Sequence, residues 1–541
     1  MKYLKFISLN FFLVIFSSEL ALAQSQKKIS YQSNDIFVDK IGGERVRRLI
    51  GNVIFKQEST TVYCDSSYFY RSENMMKAFS NVRIVDKATV ITSKRLIYEG
   101  DNRMARLRDD VVYNNQKNKL YTHVLDYHMD DEIASYWEGG KLIDSTNTLT
   151  SMSGMFNSKQ EYANFYTNVV LIAPEYTLKT DTLRYNTTTK VAITTGYTEI
   201  IDNDGTQLFS KGGIFRTEID QSDFVKGTVE TEEYTMTGNN LYFDDLKKYY
   251  KGQGNVVLTA KEKNLLIVGD DGYYDQENGF AKVYGNAIMK KLIEEDTFYM
   301  AADTLLLIEG EYDSLTKIHA YPDIRFFKTN MQGLADSATY FIADSTLRMY
   351  GDPIVWNEKS QIIADTIAIE VTDKNIKKMY LMRNAFMISK DTLNNFNQIK
   401  GRFIETFFKN NNIDYLLVDG NAESIFYSLE KGDSSLMGMN SVICGNMRIG
   451  FEDNKITSIT AYSDVEGRFI PPHELRIEDE RLDGFNWQEA IRPTLQDIFV
   501  KNIKSRNIAP TANDSSRPKP VLRNSPEMFQ QKPKLGKSTR N

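Results

Sequence analysis

Between residues 44 and 470, apolar and polar side chains alternate with a period of two, in runs of about 12 residues. Polar turns such as RSEN, NNQKNK and NTTTK part the runs. In one set, Val53 and Phe55 share a face, as do Val82 and Ile84, Val111 and Tyr113, and Val169 and Leu171. In a second set, Leu96 and Tyr98, Leu125 and Tyr127, and Leu183 and Tyr185 do the same. Arg83 and Glu199 fall between such residues and are expected to face water. One greasy face and one wet face predict antiparallel strands, solvated on one side.

The runs also repeat. Asn52, Asn81, Asp110, Gly139, Asn168, Tyr197, Lys226 and Asn255 each lie 29 residues after the one before. In phase with them, Asp65, Lys94, His123, Met152 and Asp181 are again 29 apart. After Asn286 the spacing drifts, but the theme continues in PDIRF, GDPIVW, RNAFMI and GNMRI. A two-strand unit cannot bury its apolar face alone, whereas stacked units can. The chain is therefore expected to be all-β, open-ended, with an apolar interior along its length. The recurring Asp65, Asp181, Asp303, Asp336 and Asp365 are expected at strand corners, where Asp bonds its own backbone.

Composition sharpens this picture. With 31 Tyr, 30 Phe and only 11 Pro, strands are favoured over helices. The start, MKYLKFISLNFFLVIFSSELALAQ, has a basic end, an apolar run and a small-x-small close. This is the pattern of a secretory signal peptide over 1–23, cut before Gln24, so the mature chain is expected to be exported. No later segment is long and apolar enough for a membrane-spanning helix. Two cysteines, Cys64 and Cys444, allow at most one bridge and are expected to be free and buried. Four His and two Cys at unrelated spacings predict no metal site and no cofactor.

Net charge is −6, but residues 501–541 carry ten Lys/Arg against two Asp/Glu, or +8, leaving −14 for the rest. That Pro-, Ser- and Asn-rich tail is expected to be disordered. Catalytic signatures are missing: the Asp positions recur in every unit without a partner, GQGNVV precedes no helix pattern, and SMSGMF fills an ordinary repeat position. The chain is read as a non-enzyme. Only DGFNWQEAIRPTLQDIFVKNI looks helical, with Trp487, Ile491, Leu495, Ile498 and Phe499 on one side and Pro493 as a breaker. It is expected to cap the last strand or bind a partner.

The stretches GNVIFKQESTTVYCDSSYFY, AFSNVRIVDKATVITSKRLIY, FYTNVVLIAPEYTLKTDTLRY and GNAIMKKLIEEDTFYMAADTLLL resemble the OstA/LptA lipopolysaccharide-transport family, specifically its OstA-like proteins. The resemblance implies an elongated, twisted antiparallel β-jellyroll built of stacked two-strand repeats. It further implies a periplasmic bridge protein that shields the acyl chains of lipopolysaccharide and its lipid A during transport to the outer membrane. The implied partners are an inner-membrane extraction complex, an outer-membrane translocon and further copies stacked edge to edge, with no nucleic acid. On this reading the lipid-groove candidates are the fourteen inward residues already named: Val53, Phe55, Val82, Ile84, Leu96, Tyr98, Val111, Tyr113, Leu125, Tyr127, Val169, Leu171, Leu183 and Tyr185.

The expected organisation is a signal peptide (1–23), a lead-in (24–43), a jellyroll (44–204), continuing repeats (205–470), a helix-like segment (471–500) and a basic tail (501–541). The alternative is a β-helical surface scaffold or a polysaccharide-acting exported protein.

Overall fold

The computed structural model describes residues 28–500, apart from 117, 145, 204, 233, 262–263, 294–295, 311–315, 373–374, 410–411, 431–434 and 453–454. The expected signal peptide and basic tail lie outside the described residues. Among those described, 35 strands form one sheet that grows hairpin by hairpin. Glu44–Gln57 pairs with Thr60–Tyr70, which pairs with Met75–Asp86, which pairs with Thr89–Glu99. The pattern runs on to Leu436–Glu452 and Lys455–Tyr462. In the lead-in, Ser30–Gln32 and Asp35–Ile41 both pair with Glu44–Gln57. Every strand pair among the described residues is antiparallel, whereas β-helix coils stack in parallel. The β-helical alternative is overturned on that ground.

Many of the long strands, about every second one, carry a corner at their middle, and the Asn-Val motif is the reason. Between Phe79 and Val82 the register with the next strand shifts, and Ser80 and Asn81 both take left-handed backbone, φ 60° and 49°. The same double corner stands at Gly51–Asn52, Asp109–Asp110, Thr167–Asn168, Gly254–Asn255, Gly285–Asn286, Arg383–Asn384 and Gly420–Asn421. Gly takes that region freely, and Asn and Asp tolerate it better than other residues do. An irregularity of this kind bends the strand. The apolar residue after the corner then points into the same interior as the residues before it. The two halves of the sheet face each other: Phe55 lies 5.9 Å from Phe69 across the interior, and Tyr113 lies 5.9 Å from Tyr127. This folded sheet is the jellyroll.

The recurring aspartates do stand beside corners, but their bonding differs from expectation. Asn81 Nδ2 donates to Asp65 Oδ2 at 2.7 Å, and Asn384 Nδ2 donates to Asp365 Oδ1 at 2.9 Å. Asn286 does the same to Asp270 at 2.9 Å. The corner of the next strand delivers an Asn amide directly against the carboxylate, so the bond crosses between strands instead of closing on local backbone.

Two rows of side chains line the interior. In one half-sheet a mostly aliphatic row runs Ile84, Ile91, Tyr113, Leu120, Leu142, Leu149, Leu171, Leu178, Ile200, Leu208, Val229 from strand to strand. The facing half alternates large and small: Tyr98, Ala105, Tyr127, Ala134, Phe156, Ala163, Tyr185, Ala192, Phe215, Ser222, Phe243. Such alternation lets rings interdigitate without voids. Further on, the corners part. The long strands Asp296–Ile308 and Ile376–Lys390 are joined by two separate ladders of four short strands each, closing a ring of ten.

The segment expected to be helix-like is a strap. It holds only two single 3-10 turns, at Ile477–Asp479 and Glu489–Ile491, and one α-helix, Leu495–Phe499, which follows Pro493 and is capped by Thr494 and Asp497. It does not stop at the last strand but returns across the outer face of the second half of the sheet. Three buried glutamines on every second strand of the ladder hold it. Gln398 Nε2 donates to the Glu480 carbonyl and its Oε1 accepts from the Leu482 N–H, at 2.8 and 2.9 Å. Gln361 treats Asn486 and Gln488 alike, at 2.6 Å each, and Gln332 Oε1 accepts from Arg492 Nε at 2.7 Å. Between Gln332 and Gln361 in the register lies Trp356, fully buried.

Candidate functional site

Twelve of the fourteen groove candidates are at most 4 % exposed and belong to a single apolar cluster reaching from Ile29 to Leu183. Leu171 is half-buried against that cluster, and Tyr185 is half-buried at its border. The candidates are thus brought together, but packed on one another. Burial also pushes the phenols of Tyr98, Tyr113 and Tyr127 up, so all three stay neutral.

The turns of the two half-sheets form facing lips, and over this first stretch the lips are clasped. Arg103, buried on one lip, reaches Glu58 Oε2 at 3.1 Å and Asp86 Oδ1 at 3.9 Å on the other, and Asp130 Oδ1 at 2.7 Å on its own side. It also donates to Thr60 Oγ1 at 3.2 Å. Lys87 Nζ and Glu132 Oε1 cross the lips at 2.6 Å, and Lys87 holds the Glu132 carboxyl below its usual range. Behind the clasp the interior is shut.

Farther along the sheet the interior changes character. From Val191–Asp202 to Leu265–Asp275 the inward rows continue as Ile200, Phe215, Val229, Met236, Phe243, Tyr250, Leu258 and Tyr274, all half-buried. Only Leu208, Phe224 and Leu241 form a closed nucleus. A chain of rings runs along one wall, with centroids 5.2 Å apart from Phe215 to Phe224, 5.5 Å to Phe243, 5.7 Å to Tyr250 and 6.1 Å to Tyr274. Beneath the rows, near the corner, the inward positions shrink to Thr180, Thr198, Ser210, Gly227 and Gly238. Leu241 lies flat over this floor: a Cβ on Gly227 would meet it at 2.6 Å, and one on Gly238 at 3.1 Å. Thr180 and Thr198 pair at 3.0 Å, while the buried hydroxyls of Thr194 and Ser210 have no protein partner. From Val283 to Ile449 a second closed cluster resumes. Among the described residues, no group of His, Cys, Asp and Glu could hold a metal ion.

Both ends of the sheet expose apolar edge strands. Ile36, Phe37 and Val38 on Asp35–Ile41 are 53 %, 45 % and 67 % exposed, and Tyr462 and Phe469 are 52 % and 55 % exposed at the other end. Asp35–Ile41 pairs on one side only, with Glu44–Gln57.

Comparison with known proteins bears on the first closed stretch. The family model described as "OstA-like protein" matches residues 26–181. Residues 26–181 form an OstA-like domain. Among solved structures, LptH aligns with this chain at 10 % identity, covering 22 % of this chain and 82 % of its own, with a TM-score of 0.19. Its structure is titled as the LptA homologous periplasmic component of the conserved lipopolysaccharide transport device from Pseudomonas aeruginosa. No curated protein matches.

The OstA-like domain therefore contains twelve of the candidates, Val53 through Leu171, with Leu183 and Tyr185 just beyond its end. The half-open interior lies outside the domain. Sequence reasoning puts Val256 and Leu258 on the apolar face but leaves this segment out of the groove candidates, because the candidates follow the rows only while the motif is crisp. A signal was present: inward glycines crowd into 213–272, including the GQGNVV stretch that reads poorly as a phosphate loop.

Proposed function

We propose that this protein is a periplasmic lipopolysaccharide-binding component that shields the acyl chains of lipid A on the way to the outer membrane. The observation that carries the reading is an interior lined by two facing apolar rows and partly open to water between two closed cores. The OstA-like domain supports the same direction. Keeping a fatty chain from water is worth about 0.8 kcal/mol per methylene, so a trough of this lining could hold one without any charged contact.

In this role the chain works between an inner-membrane extraction complex and an outer-membrane translocon. The exposed edges at Asp35–Ile41 and near Tyr462 are the natural docking strips, through added strands, for those partners or for further copies. The protein acts as a carrier surface and not as a catalyst.

The test is direct. Mature protein purified from its host periplasm is expected to carry lipopolysaccharide or lipid A, detected by mass spectrometry, and its depletion is expected to stall lipopolysaccharide at the inner membrane. A lipid-free protein that cleaves glycans would overturn the reading.

A further inference from the structure

We infer that the outer face of the sheet beneath the strap is a peptide-binding groove, that its ligand is an extended polypeptide recognised through its main chain, and that the strap of a second copy can take it in exchange for the chain's own. The inference does not depend on the proposed lipid-binding function.

The groove is built without help from its ligand. Gln332, Trp356, Gln361, Ile388 and Gln398 follow one another in register across five strands. Their sequence neighbours Met331, Val355, Ile362, Met387 and Ile399 belong to the inner cluster, so the row faces outward. All five are nonetheless at most 3 % exposed, because the strap lies over them. The strap adds no strand to the sheet, and none of its residues belongs to the inner cluster. The sheet closes on its own side chains, and the strap is laid on top.

Recognition runs through the main chain. A glutamine amide carries both a donor and an acceptor. Gln398 uses both on the Glu480 carbonyl and the Leu482 N–H, and Gln361 uses both on the Asn486 carbonyl and the Gln488 N–H. In each case the two groups read are two residues apart on an extended segment. Such bonds do not depend on the strap's side chains, and Asn486 itself is exposed. Sequence is read by anchors: Phe485 and Trp487 both rest on Phe396 at 5.3 Å. Main-chain bonds for affinity and side-chain pockets for specificity are the division found in peptide-binding sites.

Covering the groove also strands polar groups. Trp356 Nε1, and Nε and Nη1 of Arg325, are buried without a hydrogen-bond partner. Arg325 stands on Ile324–Lys328, against which the helix Leu495–Phe499 rests. Asp497 of that helix accepts instead from the N–H and Oγ1 of Thr494, at 2.7 Å each. Buried donors without partners oppose closure, and lifting the strap returns them to water. Little else resists lifting, since only Pro493 and Ile498 of the strap are themselves buried. The hinge is a surface turn, in which the Glu474 N–H donates to the Pro471 carbonyl at 3.0 Å and Pro472 and His473 are exposed. A terminal segment on such a hinge can trade places with its equal from another copy.

The experiment uses the full mature chain, with a site for a sequence-specific protease inserted between Pro472 and His473, and a fluorescein-labelled peptide of residues 474–500. After cutting, the peptide is expected to displace the strap fragment, read by fluorescence polarisation and gel filtration; before cutting, the tethered strap excludes it. Methylating the Gln488 main-chain nitrogen of the peptide leaves Gln361 Oε1 without its donor and is expected to weaken binding about tenfold. Asn486→Ala in the peptide is expected to leave binding unchanged. In parallel, hydrogen exchange of the unaltered chain is expected to show the Leu482 and Gln488 amides opening well ahead of Ile376–Lys390 and Phe396–Lys409 beneath them. A cut chain that unfolds, or that keeps its fragment against excess peptide, would overturn the inference, as would a methylated peptide that binds as well as the plain one. Should the inserted site itself disturb folding, the unaltered chain decides: strap amides that open only together with those strands would overturn it. None of these results bears on lipid binding.

Discussion

At several corners an Asn amide turns against an aspartate one strand away, as Asn81 does to Asp65 and Asn286 to Asp270. Asn286→Ala removes the 2.9 Å bond to Asp270 and is expected to cost about 1 kcal/mol, seen as a lower melting temperature. Gly196→Ala is expected to cost more. Gly196 sits at φ +86°, and a Cβ there would come within 2.3 Å of Asp181 Oδ2. The spacing of Asn, Asp and Gly was plain in the chain, because a repeated backbone need leaves a repeated residue. Why they were needed was not plain, since the partner Asp65 lies 16 positions away from Asn81 and only the folded register joins them. Cys64 is a second residue whose state follows from its surroundings. Burial pushes its thiol up to about 12, so a thiol-specific reagent is expected to leave Cys64 unlabelled until the protein is denatured.

At the level of elements, strands were legible and the strap was not. Period-two alternation is a local property, and it survives in strands such as Thr60–Tyr70, Thr89–Glu99 and Met104–Asn114. The strap mimics a helix in sequence because Trp487, Ile491 and Leu495 fall at intervals near four. In the fold, Trp487 packs at a tilt on Phe396 at 5.3 Å and Phe499 packs edge-on against Tyr299 at 5.7 Å, so the spacing reflects docking on separate strands. Gln361→Leu would leave the Asn486 carbonyl and Gln488 N–H without their partner. It is expected to destabilise by about 2 kcal/mol and to expose the strap to protease, measured by limited proteolysis. The clasp is the other element that sequence conceals, since Arg103 and Asp86 come from different hairpins. Arg103→Ala leaves the buried Asp86 carboxylate without its cation, held by the Ser59 and Thr60 hydroxyls, and is expected to cost about 3 kcal/mol in urea unfolding.

For the molecule as a whole, the apolar interior could be foreseen, but its division into closed and open lengths could not. Alternation reports which side chains point inward; it does not report how far two half-sheets stand apart. That distance depends on what crosses the lips and on the size of the floor residues, both set by pairs remote in sequence. Phe243→Asp puts a charge into the half-open wall while leaving both closed cores untouched. It is expected to abolish lipid A retention with little change in melting temperature, whereas Arg83→Glu on the wet face is expected to retain lipid normally.

The strap also dictates an order of events. Gln332, Gln361 and Gln398 wait for residues 480–492, more than 80 positions further along the chain in every case. Synthesis delivers those residues after the strands they cover, so the surface around Trp356 must stand bare until residues 480–492 have emerged. Arrival of the strap, then, is the latch on maturation: a product truncated before residue 480 would show its bare flank to quality-control proteases, and one that carries the strap would hide it.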